Sequence, residues 1–201
     1  MDELSLLQVL RMKGRSTGTV LAAATGATES DVKRHLDELR ERGAVAGGDV
    51  VRLTPEGQQM LAALVDAERR GIDRAALEVA YRSFDEVNTE VKATVSAWQT
   101  TPDGEINDHA DVDYDLRVIA RLVAVHERFR PVLAELVRLV PRLHHYPVRF
   151  DHALTRVREG DHGFIARPIQ DSYHTVWFEL HEDLLGLLAL RRADEARAGR
   201  A

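Results

Sequence analysis

Eight of the nine histidines fall beyond residue 100, at His109, His126, His144, His145, His152, His162, His174 and His181, with His35 alone before them. Such crowding could hold a metal ion or move protons, and spacing decides between them. His174 and His181 are seven residues apart, as are His145 and His152. On a helix that is two turns, roughly 10 Å, so neither pair chelates one ion unaided. No His-Glu-x-x-His run or comparable zinc spacing occurs, and no metal or other cofactor is expected. A small-molecule pocket suits the residue types better. His145, Arg149, His152 and Arg156 recur at helical spacing beside a core stripe of Phe150, Ala153 and Val157. Asp171, His174, Phe178 and His181 do the same beside Tyr173, Trp177, Leu180 and Leu184. Two such helices facing one another would enclose apolar walls with a few convergent polar groups, the usual make-up of a ligand site. The expected lining is Arg149, His152, Asp171, His174, Trp177 and His181. The fork of Arg149 favours a carboxylate or phosphate on the effector.

Other constellations carry less. Residues 107–115, NDHADVDYD, crowd four carboxylates together but lack the glycine and closing glutamate of a calcium loop. Asp111 or Asp113 capping the next helix explains them. There is no nucleophile elbow and no glycine-rich phosphate loop, so no enzymatic activity is expected.

A second set of polar residues lies in TESDVKRHLDELRERGAVAGGDVVRLTPEG, residues 28–57. Thr28 is a good N-cap, and Val32, Leu36 and Leu39 form one buried stripe. Glu29, Ser30, Lys33, Arg34 and Asp37 face away from it. A helix so placed could enter a major groove, where arginine donates twice to guanine. Gly43 ends this helix by reaching the left-handed region at no steric cost. Val45 and the run from Val50 to Leu53 flank Gly47-Gly48-Asp49 as a short hairpin, with Arg52 at its base. Thr54-Pro55 opens the next helix. Upstream, Leu4, Leu7 and Leu10 mark a helix near residues 2–13. Val20, Leu21 and Ala24 mark another, ended by Gly26, which gives helix-turn-helix order.

The run TVLAAATGATESDVKRHLDELRERGAV, followed by VRLTPEG, resembles the winged-helix domain of bacterial MarR-like regulators, over about residues 1–70. The resemblance implies double-stranded DNA as partner, read by Thr28, Ser30, Lys33, Arg34, Asp37 and Arg52, a homodimeric assembly and a role in transcription regulation. The expected fold is mainly α. An N-terminal winged helix-turn-helix with a short β-hairpin wing spans residues 1–70. An all-α domain for effector sensing and dimerisation spans 71–201.

Beyond Gly71 the pattern is helical throughout. A helix capped by Asp73 runs to about Trp98, then a polar loop over 99–112. A helix over 113–130 carries two apolar stripes, Leu116/Ile119/Val123 and Val118/Leu122/Val125/Phe129, and is expected to be mostly buried. Pro131 should kink or restart it, Pro147 open another helix and Pro168 the last, which frays into RRADEARAGRA. Leu77, Tyr81, Phe84, Asn88, Val91, Val95 and Trp98 are spaced 4-3-4-3-4-3, a heptad seam with one Asn inside it. That seam serves either a dimer or packing within the chain.

Charge tempers the DNA reading. The chain is −6 overall, and residues 1–70 hold 10 Lys/Arg against 11 Asp/Glu. Counterion release drives much of DNA affinity, so one near-neutral copy binds weakly and two copies are needed. The alternatives are a winged-helix adaptor that docks a protein partner without DNA, or a His-rich metal-binding or enzymatic helical domain. Zero cysteines exclude disulfides and thiolate chemistry. Met1-Asp2-Glu3 is unlike a signal-peptide start, and no apolar run reaches membrane-spanning length. A cytoplasmic address with no membrane partner is expected.

Overall fold

The computed structural model describes residues 1–190. The tail read as frayed lies outside the described residues. The protein is mainly α with a small three-stranded antiparallel sheet, and it divides into two compact units, Met1–Ile72 and Asp73–Ala201.

In the first unit the order is α1 (Glu3–Lys13), β1 (Ser16–Thr17), α2 (Gly18–Thr25), α3 (Glu29–Glu41), β2 (Val45–Ala46), β3 (Val50–Leu53) and α4 (Pro55–Gly71). Thr28 caps α3 by accepting from the Asp31 N–H at 3.1 Å, and Gly26 closes α2 in the left-handed region. Strand β3 is central, pairing with β2 through Val45 to Leu53 and with β1 through Ser16 to Val51. Strand β1 has no periodicity that two residues could display, and only the structure brings it out. Thr54 fixes the exit from the sheet. Its hydroxyl donates to the Gly43 carbonyl at 2.6 Å and accepts from the Gly57 N–H at 3.0 Å. Leu6, Leu7, Leu10, Leu21, Val32, Leu36, Leu39, Val51 and Leu61 fill the core. No Phe, Tyr or Trp occurs before residue 73, so this core is wholly aliphatic.

The second unit comprises α5 (Arg74–Gln99), α6 (Val112–Leu139), a 3-10 turn (Pro141–His144), α7 (His145–Arg158), the short α8 (Gly163–Ala166) and α9 (Tyr173–Leu188). Four expectations are corrected. Helix α6 runs on through Pro131, so the proline does not restart it. A proline inside a helix costs about 3 kcal/mol, but buried Phe129, Leu133 and Leu136 on either side of it outweigh that local preference. Of its two apolar stripes only Val118/Leu122/Val125/Phe129 is buried, while Leu116 is 56% exposed. Helix α7 starts at His145, which leaves Pro147 in the tolerant first turn. The last helix opens at Tyr173 and not at Pro168, because buried Ser172 supplies the cap by accepting from the Thr175 N–H. The seam from Leu77 to Trp98 is buried inside its own unit, where Phe84 stacks on Trp177 at 4.8 Å and the Trp177 indole donates to Asn88 at 2.9 Å. A dimer cannot use that seam.

No helix among the described residues is long and apolar enough to cross a membrane.

Candidate functional site

Helix α3 offers the first candidate surface. Val32, Leu36 and Leu39 are turned inward, and Thr28, Glu29, Ser30, Lys33, Arg34 and Asp37 are exposed. The electrostatics are mixed. Glu29, Asp31, Asp37, Glu38 and Glu41 oppose Lys33, Arg34 and Arg40, five acids against three bases. Arg34 lies 3.1 Å from Glu38 and 3.7 Å from Asp31 on its own helix, and Arg40 lies 2.6 Å from Asp37. Lys33 has no such partner among the described residues. In solvent these pairs are worth well under 1 kcal/mol and would exchange for a phosphate. Asp31 is held below the usual carboxylate range by the Thr28 hydroxyl that donates to it. The hairpin tip, Gly47-Gly48-Asp49, brings no positive charge, and exposed Arg52 is the basic residue of β3.

In the helical unit the predicted pocket residues fall in four separate places. Arg149 and Asp171 meet directly, Nε to Oδ2 at 2.8 Å, and Glu179 takes the Arg149 Nη2 at 2.5 Å. Burial opposes the guanidinium charge, but Glu179 and Asp171 outweigh it and hold its pKa above the ordinary value. Two carboxylates thus occupy the fork that could have met an anionic effector, and Nη1 alone stays without a partner. Trp177 and His181 lie together in the aromatic core, with His181 Nε2 at 3.1 Å from the Tyr81 hydroxyl. His152 is exposed with its ring edge-on to Phe164. His174 is half-buried, and burial lowers its pKa.

Three polar clusters rest on pairings that spacing in the sequence does not show. Asp183, 1% exposed, accepts from both terminal nitrogens of Arg142 (2.9 and 3.2 Å) and from the Tyr146 hydroxyl at 2.7 Å. Burial alone would raise the Asp183 pKa, but Arg142 keeps it below the ordinary value. Beside them, burial and the Arg149 charge push the His145 imidazole down to about 4. Its Nδ1–H donates to the Arg142 carbonyl, and Nε2 has no partner. The second cluster locks the loop between α5 and α6. Asp115 accepts from Asn107 and from His109, whose ring packs on Trp98 at 4.3 Å and whose φ of 62° is left-handed. The cap of α6 itself is Asp111, which accepts from the Tyr114 N–H. In the third, His126 touches the Tyr173 hydroxyl and Asp151. Each cluster joins residues from separate elements, which a periodic pattern does not reveal. The one available signal was a charged or imidazole side chain at a core position, as with His126 between Val125 and Phe129.

Comparison with protein-family models, curated proteins and solved structures finds no significant match to this chain.

Proposed function

We propose that this chain is a winged helix-turn-helix regulator that binds double-stranded DNA through α3 and senses a small molecule in its helical unit. The observation that carries the reading is the arrangement of the first unit. Helix α3 follows α2 across a short glycine-containing turn, buries one stripe and presents its opposite face, and the hairpin follows at once. In this reading Lys33 and Arg34 reach base edges or phosphates, Thr28, Ser30 and Asp37 set register, and Arg52 meets the backbone beside the groove. With five acids on α3, a single copy is a poor electrostatic match for DNA, so the functional species is a homodimer on a two-fold site. A ligand that binds the helical unit differently in two states would change the spacing of the two recognition helices.

A genomic selection for bound duplexes, followed by a salt series on the best sequence, tests the reading. Loss of affinity with a log–log slope of at least about −4 is expected for a dimer neutralising several phosphates. No enrichment above random duplex would end it. A protein-docking adaptor is the second reading, and the acidic excess of α3 favours it. An adaptor would enrich no duplex, and its partner would be lost on charge reversal at Glu38 and Glu41.

A further inference from the structure

A groove of about 530 Å³ opens between α6 and α7, away from the Arg149 network. Pro131, Ala134 and Pro147 make its apolar wall. Its polar side begins in the core, where the fully buried Tyr173 hydroxyl stands 3.3 Å from His126 Nδ1. Burial lowers the His126 pKa and so favours the neutral ring. A neutral ring carries one N–H, and since the Asp151 carboxylate can only accept, that proton sits on Nε2 and Tyr173 donates to Nδ1. Nε2 is 3.3 Å from Asp151 Oδ1. Asp151 is therefore steered from one side only, and its carboxylate, 69% exposed, lines the groove with lone pairs to spare. A second acceptor lies close in sequence. Pro131 has no N–H, so the Glu127 carbonyl lacks the donor a helix normally supplies four residues on. Arg130, the cation of the lining, already stands 3.3 Å from the Glu127 carboxylate.

The lining is thus rich in acceptors, and Asp151, Glu127 and Arg130 sum to one negative charge. We propose that this groove binds a small aliphatic amine, its ammonium on Asp151 and its alkyl chain along Pro131, Ala134 and Pro147. An ammonium brings three donors and one compact positive charge. A carboxylate ligand would instead face an uncompensated Asp151. A hard divalent cation would need six or more oxygens, and no group of three candidate ligands occurs among the described residues. The site lies wholly in the helical unit and does not depend on whether α3 binds DNA.

Calorimetric titration of the full chain with n-butylammonium, and with n-butyrate as the charge-reversed probe, tests it. Saturable binding of the amine alone is expected, weakened at least tenfold in Asp151→Asn and unchanged in Asp103→Asn, a loop carboxylate. Ala134→Phe, which fills the groove and spares the carboxylate, should abolish it. No saturable amine binding, equal binding of butyrate, or full affinity in either Asp151→Asn or Ala134→Phe would overturn the proposal. Should a variant fail to fold, the ring nitrogen resonances of wild-type His126 decide. A shift on adding the amine supports the site, and their constancy refutes it.

Discussion

Asp183 shows how single residues govern the helical unit. Its charge is fully enclosed, and Arg142 and Tyr146 are what make that tolerable. Removing one partner leaves the other charge buried and unpaired, which costs about 3–5 kcal/mol. Arg142→Met should lower the unfolding free energy measured in urea by that much, and adding Asp183→Leu should recover a good part of the loss. His145 makes the same unit sensitive to acid. Its folded pKa is pushed down to about 4, below the ordinary 6.5 of an unfolded chain. Between those values the unfolded state takes up a proton that the folded state refuses. Stability is therefore full above about pH 6.5 and falls as the pH drops toward 4, by up to about 3 kcal/mol for this group. His126 and His174, lowered by burial, pull in the same direction. Urea melts of the wild type at pH 7 and pH 5 should differ, and by less in His145→Asn, which keeps the donor to the Arg142 carbonyl. On α3, Arg34→Ala should weaken operator binding by about 1–3 kcal/mol if the guanidinium reads a base. Unchanged binding by the Lys33→Ala/Arg34→Ala pair would remove the main support for DNA recognition.

Elements with a local code were legible in the sequence. The caps at Thr28, Thr54 and Asp73 and the stops at Gly26 and Gly43 are one-residue signals, and they set α2 to α5 within a residue or two. Elements decided by distant partners were not. Pro131 reads as a kink or a restart, and burial of Phe129 and Leu133 carries the helix on past it. The polar stripes of α7 and α9 were seen, but their meaning depends on register. Arg149 of α7 meets Asp171, just before α9, and Glu179 of α9, so its guanidinium is bonded within the unit instead of to a guest. One glycine carries more than its type announces. A Cβ on Gly57 would stand 2.0 Å from the Ala44 carbonyl oxygen, so α4 seats on the sheet only because that atom is absent. Gly57→Ala should destabilise the first unit by about 1–3 kcal/mol or more. Gly48→Ala, where nothing lies within 4 Å, should leave the thermal midpoint unchanged.

For the whole molecule, the burial of Phe84 in its own unit changes what a mutation there reports. A dimer built on the seam would release monomers in Phe84→Asp. With Phe84 0% exposed beneath Trp177, the variant should unfold the helical unit at any protein concentration. Light scattering with circular dichroism separates the outcomes. A monomeric wild type would also count against the two-copy DNA mechanism, since the near-neutral first unit gives one copy little grip on phosphate. The division of the chain into an aliphatic unit and an aromatic one has an optical consequence. All four tyrosines and both tryptophans lie beyond residue 80, so ultraviolet emission and near-ultraviolet dichroism come from the helical unit alone. Trp177 is a sensitive chromophore there, with its indole N–H on Asn88 and its ring against Phe84. A duplex settling on α3 brings no tryptophan and meets none in the first unit, so tryptophan emission responds only through the second unit. The unlabelled protein therefore carries its own gauge of communication between the two units, and a change in tryptophan emission on adding DNA reads it.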